Sequence, residues 1–158
     1  MKTRIKNVLV GSLIGLVVVL AQASPFQHLD RERAKQLLEP THYKQPTVVV
    51  LWSSDCVHCK KNLAMLQGLI KRNKAVRVLT VAVEPETTAL APILDRHNMP
   101  AERYTYGADN PEALAYALDP NWAGELPRTY LFNGAGGKQA VSGVLTSQAV
   151  EKALKIQP

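Results

Sequence analysis

Thr47-Val48-Val49-Val50-Leu51-Trp52-Ser53-Ser54-Asp55-Cys56-Val57-His58-Cys59 is the stretch on which the fold turns. Its first six residues form a β-branched, apolar run without polar alternation, as in a strand buried on both faces. From Cys56 to about Arg72 the period changes. Leu63, Leu66 and Ile70 share one side of a helix, and Met65 and Leu69 add a second apolar stripe. Two cysteines with C-x-x-C spacing therefore stand where a buried strand gives way to a helix. At a helix start the first sulfur faces unpaired backbone N–H groups and the positive end of the helix dipole. Both favour the thiolate, which is the nucleophile. Cys56 is expected to have a lowered pKa and to exchange with partner disulfides. Cys59, one turn inside, is expected to be more buried and to resolve the mixed disulfide. The chain has no other cysteine. A staple would close too short a loop to stabilise much, so reactivity explains the pair better.

Working outward, Asp30–Glu39 reads as a helix with Ala34, Leu37 and Leu38 on one face and Pro40 ending it. Val76–Val83 is a second strand. Thr87 or Thr88 is the expected cap of a helix carrying Leu90, Ile93 and Leu94, with Pro92 in its first turn or kinking it. Asn110-Pro111-Glu112 is a helix start made of a cap, a proline at the first position and an early acid. That helix carries Leu114 and Leu118 and stops at Asp119-Pro120. The tail changes character. Arg128–Phe132 and Lys138–Leu145 read as an antiparallel hairpin around the turn Asn133–Gly137. Thr146 or Ser147 then caps a last helix with Val150, Ala153 and Leu154 on one face. A βαβ half followed by a ββα half predicts an α/β, thioredoxin-like fold: a central mixed sheet flanked by helices.

The amino end bears on the compartment. Lys2, Arg4 and Lys6 precede an apolar run from Val8 to Ala21, and Ala21-Gln22-Ala23 is a small-x-small cleavage pattern. Residues 1–23 are expected to be a secretory signal peptide, with an uncleaved anchor as the alternative. Residues 24–158, about 135 in number, then form a single domain. The signal supplies three of the 19 basic residues, leaving 16 against 13 acidic ones. So mild a surplus, without a Lys/Arg block, gives no support to nucleic-acid binding.

Trp52-Ser53-Ser54-Asp55 precedes Cys56, and Leu126-Pro127 stands directly before a strand, with Pro127 68 positions after Cys59. With these residues the chain resembles the thioredoxin superfamily. Within that superfamily it resembles the TlpA-like group of bacterial periplasmic thiol–disulfide oxidoreductases, over essentially everything after the signal. The resemblance implies a cis Leu126–Pro127 bond, with the proline packed against the redox pair. It also implies that the backbone of Leu126 pairs with an extended partner segment. Trp52 and Leu126 are the expected partner-binding positions; Cys56, Cys59, His58 and Pro127 are the expected catalytic ones.

Three positions depart from the family pattern. Asp55 replaces the usual Trp before the first cysteine, and its charge opposes thiolate formation. Asn62 stands where reductases of the cytochrome c maturation branch place a buried Glu, and it cannot shuttle a proton. Val50 stands where thioredoxin has a buried Asp. His58 resembles the dipeptide of the oxidase DsbA, where such a His stabilises the thiolate and raises the potential. The long helical insertion of DsbA is missing, since Cys59–Pro127 reads as a strand and two helices' worth of chain.

The expected function is an exported disulfide reductase acting on periplasmic proteins, soluble or tethered to the inner membrane. Candidate partners are apocytochrome c and copper-site assembly proteins, with a membrane electron donor of the DsbD type. Two alternatives stay open: a DsbA-like oxidase or isomerase favoured by His58, and a copper-binding metallochaperone-type domain using Cys56, Cys59 and His58 as Cu(I) ligands. No cofactor is expected. Structural zinc wants four ligands, and His28, His42 and His97 are scattered. Trp122 and the Tyr104–Tyr106 pair read as core or rim packing, Gly136-Gly137 as turn chemistry, and the default assembly is a monomer.

Overall fold

Because the run Thr47–Trp52 has no polar side, it must be covered above and below. The chain builds its layers around that requirement. The computed structural model describes residues 24–157, so the expected signal, residues 1–23, lies outside the described residues. In chain order the elements are β1 (Gln27–Leu29), α1 (Arg31–Leu37), a 3-10 turn (Pro40–His42), β2 (Pro46–Trp52), α2 (Val57–Arg72), β3 (Arg77–Pro85) and α3 (Leu90–Arg96). They continue with β4 (Arg103–Tyr106), α4 (Pro111–Leu118), β5 (Arg128–Asn133), β6 (Lys138–Ser142) and α5 (Ser147–Leu154). The sheet order is β1-β4-β3-β2-β5-β6. Its first four strands run parallel, and β5 and β6 are antiparallel additions.

Strand period 2 divides β2 between two cores. Val48, Val50 and Trp52 join Leu63, Leu66 and Leu69 of α2, Leu90 and Leu94 of α3, and Val150 and Leu154 of α5. Val49 and Leu51 join Ala34 and Leu37 of α1, and Leu114 and Leu118 of α4. Both expected halves are present, as β2-α2-β3 and β5-β6-α5. Asp30, Asn110 and Thr146 cap their helices through side-chain oxygens on Arg33, Ala113 and Ala149 N–H groups.

The sheet is wider than the sequence suggests. Between Cys59 and Pro127 lie two strands and two helices, not one strand and two helices. The extra strand, β4, contains the Tyr104–Tyr106 pair, and Tyr106 is buried in the core. It takes its identity from β3 on one side and β1 on the other. Neither Thr87 nor Thr88 caps α3 through its side chain; the Thr87 carbonyl accepts the Leu90 N–H instead. β6 ends at Ser142 rather than Leu145, because Gly143 turns to φ +93° and the Leu145 N–H goes to a side chain of α2. Among the described residues no helix is long and apolar enough to cross a membrane.

Candidate active site

The end of β2 delivers the chain to the start of α2, and the two cysteines meet there. Cys56 and Cys59 form a disulfide, with S–S 2.02 Å and Cα–Cα 5.2 Å. Cys56 is itself the N-cap of α2: its backbone is extended, and its Sγ accepts the Cys59 N–H at 3.0 Å. One of the orphan donors of the helix start therefore points at the first sulfur. Cys56 is half-buried, whereas Cys59 is fully enclosed at 0% exposure. Val57 and His58, between them, project into solvent. An incoming sulfur can reach Cys56 and cannot reach Cys59.

The turn before Cys56 is held from the neighbouring strand. The Cys56 N–H donates to the Ser53 carbonyl at 3.2 Å. The Glu84 carboxylate, half-buried near the end of β3, accepts the Ser54 N–H and, at 3.0 Å, the Ser54 hydroxyl. The Thr105 hydroxyl donates to the Glu84 carbonyl. Glu84 lies where the β3–β4 register shifts, between Ala82 and Pro85. That irregularity lets one residue serve both a neighbouring strand and the redox turn.

On the other side, the Leu126–Pro127 peptide is cis. Pro127 is buried, and its carbonyl accepts the Gly143 N–H at 2.9 Å. Leu126 and Cys56 both pack against the apolar cluster that contains Cys59 and Trp52. Among the described residues no hydrogen bond engages the Leu126 backbone. Arg128 fastens the segment. Its guanidinium donates to Asp119 Oδ2 at 2.9 Å, to Ser142 Oγ at 2.9 Å and to the Tyr130 hydroxyl at 3.3 Å. The Tyr130 hydroxyl donates to the same Asp119 oxygen at 2.9 Å, and Trp122 Nε1 donates to the Glu125 carbonyl at 2.8 Å. Burial opposes charge on Asp119, yet the Arg128 guanidinium, the Asn121 N–H and the Tyr130 hydroxyl outweigh it and hold the carboxyl below its usual range. Burial pushes Tyr130 far above the usual phenol range; the Arg128 guanidinium opposes that rise and Asp119 adds to it.

The structure thus brings Cys56, Cys59 and Leu126 onto one cluster, with Pro127 bonded to the loop after β6. His58 is exposed, and among the described residues no hydrogen bond joins its ring to either sulfur. Trp52 needs correction as a partner-binding position. It is 0% exposed, the last residue of β2 in the core cluster that also holds Cys59, so its side chain offers no surface for docking. The sequence reading missed Glu84, Asp119, Arg128 and Gly143. A Gly at the foot of a hairpin and an Arg directly after Leu126-Pro127 were visible signals; Glu84 had none. Among the described residues no cluster of three or more His, Cys, Asp or Glu side chains is placed to hold a metal ion.

A disulfide across the first turn of the helix that follows a central parallel strand, with a cis proline before the antiparallel hairpin, is the arrangement of the thioredoxin-like fold. The chain has that fold, the one used by thiol–disulfide oxidoreductases, with a close Cys56–Cys59 pair. It is similar to a secreted disulfide oxidoreductase of Mycobacterium tuberculosis homologous to E. coli DsbE. Identity there is 15% over 76% of this chain and 84% of that one, with a TM-score of 0.58. A thiol:disulfide interchange protein of the thioredoxin family from Chlorobium tepidum gives 12%, 77%, 82% and 0.58 for the same quantities. StoA of Bacillus subtilis gives 17%, 70%, 83% and 0.52. No family model matches the sequence, and no curated protein matches it.

Proposed function

We propose that this chain is an exported thiol–disulfide oxidoreductase that reduces disulfides of periplasmic partner proteins. The observation that carries the reading is the asymmetry of the pair: a half-exposed sulfur at the head of α2 and a second sulfur sealed beneath it. In the reduced protein the Cys56 thiolate attacks one sulfur of a partner disulfide, and the partner's other sulfur leaves as a thiolate. Cys59, as thiolate, then attacks Cys56 Sγ, closes the Cys56–Cys59 disulfide and releases the second partner thiol. Two electrons and two protons pass from the dithiol to the partner. A membrane donor of the DsbD type would restore the dithiol, and apocytochrome c and copper-site assembly proteins are the partner classes the resemblance implies. The unpaired backbone of Leu126 supports docking of an extended partner segment beside the cis proline. Export is supported by the residue pattern before Ser24, with that segment removed or kept as a tether.

His58 favours a second direction of flow. Lying between the sulfurs at a helix start, it can stabilise a thiolate and raise the potential toward that of an oxidase. The equilibrium reduction potential of the Cys56–Cys59 couple against defined thiol buffers separates the two. A value at or below about −230 mV supports the reductase, and a value of about −120 to −180 mV supports an oxidase or isomerase. Insulin reduction that survives Cys56→Ser would remove both.

A further inference from the structure

The helix that carries the disulfide also carries Asn62, three residues after Cys59, with a side chain at 0% exposure. Both ends of that amide are used. Nδ2 donates to the Gly143 carbonyl at 3.1 Å, and Oδ1 accepts the Leu145 N–H at 2.9 Å. Gly143 in turn donates its own N–H to the Pro127 carbonyl at 2.9 Å. It does so at φ +93°, a conformation that favours glycine. An unbroken relay therefore runs from the redox helix, through the loop between β6 and α5, to the cis proline. Arg128 also reaches Ser142 Oγ, on the last residue of β6 directly before that loop.

Asn is suited to this place for a chemical reason. The position needs one donor and one acceptor at once, and a neutral amide supplies both. A carboxylate would set an acceptor against the Gly143 carbonyl, and an aliphatic side chain would leave two buried backbone groups unpaired. The residue is thus not a spectator left by the loss of an acid. We infer that Asn62 is a positioning residue that keeps the Pro127 loop in register with Cys56, and so governs how a protein disulfide is received rather than how reactive the sulfur is. The inference rests on the oxidoreductase reading above.

The two effects separate by substrate size. A small alkylating reagent or dithiothreitol needs only access to sulfur, whereas a protein disulfide also needs the loop. Asn62→Ala and the bulkier, apolar Asn62→Leu are compared with wild type in insulin reduction, after thermal melts establish that each variant folds. In both, kcat/KM for insulin is expected to fall about tenfold, carried mainly by KM. The iodoacetamide rate of Cys56 and the equilibrium with dithiothreitol should change by less than about twofold. Parallel losses in protein and small-reagent reactions, or no loss in either, overturn the inference. If neither variant folds, amide hydrogen exchange in the wild-type sequence carrying only Cys59→Ser decides. Gly143 and Leu145 should exchange more slowly once Cys56 is joined to a peptide thiol, and equal rates overturn the inference. A wild type that leaves insulin intact removes the oxidoreductase reading and this inference together. An active wild type with insensitive variants removes this inference alone.

Discussion

The two segments that bracket the disulfide are held in unequal ways. The turn before Cys56 hangs from one carboxylate, that of Glu84, on the N–H and hydroxyl of Ser54. The loop from Asp119 to Pro127 is fastened by Arg128, which reaches Asp119, Tyr130 and Ser142 at once. The Arg128 and Asp119 side chains are only 13% and 12% exposed. A shielded, hydrogen-bonded ion pair is costly to break from one side, while a single clamp on a turn costs about what its hydrogen bonds contribute. The difference teaches a division of labour. The segment that carries Cys56 is held lightly, by one carboxylate, and the segment that carries the cis proline is fixed by a shared network.

Breaking the stronger side should show the largest effect. Arg128→Ala strands the Asp119 carboxylate beside Tyr130 and is expected to cost about 3 kcal/mol, lowering Tm by roughly 10 °C in a domain of this size. Circular-dichroism melts check this, and a drop of only a degree or two would mean that the network is slack. On the lighter side, Glu84→Ala should cost about 1–2 kcal/mol, and Glu84→Gln less, because its amide oxygen still accepts from Ser54. Urea midpoints would put these variants in order, and a Glu84→Ala loss exceeding that of Arg128→Ala would reverse the comparison. The mildest test needs no strong perturbation. Since Asp119 is held below its usual range, its contribution is present above the unfolded value of about 3.9 and disappears as pH falls through the lower folded value. Urea midpoints of wild type should therefore decline below about pH 4. Asp119→Asn, less stable at neutral pH, should show a shallower decline over that acid range.

The parts of the molecule that were legible in the sequence are those whose signal is local. The apolar run of β2, the stripe on α2, the Asn110-Pro111 start and the cysteine spacing each declare themselves within a few residues. β1 and β4 do not. Gln27-His28-Leu29 and Arg103-Tyr104-Thr105-Tyr106 are short and half polar, and they become strands only because they lie side by side, the second of them also paired with β3. Glu84 escaped for the same reason. It is 30 residues from Ser54, and only the β2–β3 register places it at the redox turn. Trp52 shows the opposite error. It was expected to meet a partner, whereas the alternation of β2 turns the indole into the core shared with α2, α3 and α5.

The central place of β2 also sets an order of assembly. Its parallel neighbour β3 follows at residue 77, but its antiparallel neighbour β5 begins only at residue 128. In a chain that emerges amino end first, β2, α2 and β3 can associate early, leaving the other edge of β2 open. That edge is a flat, apolar row of unpaired N–H and carbonyl groups, the kind of surface that captures a second chain. Because the sheet is closed by non-local pairing, folding should be slow relative to helix formation. The interval before residue 133 arrives is then the time during which this protein is most exposed to aggregation.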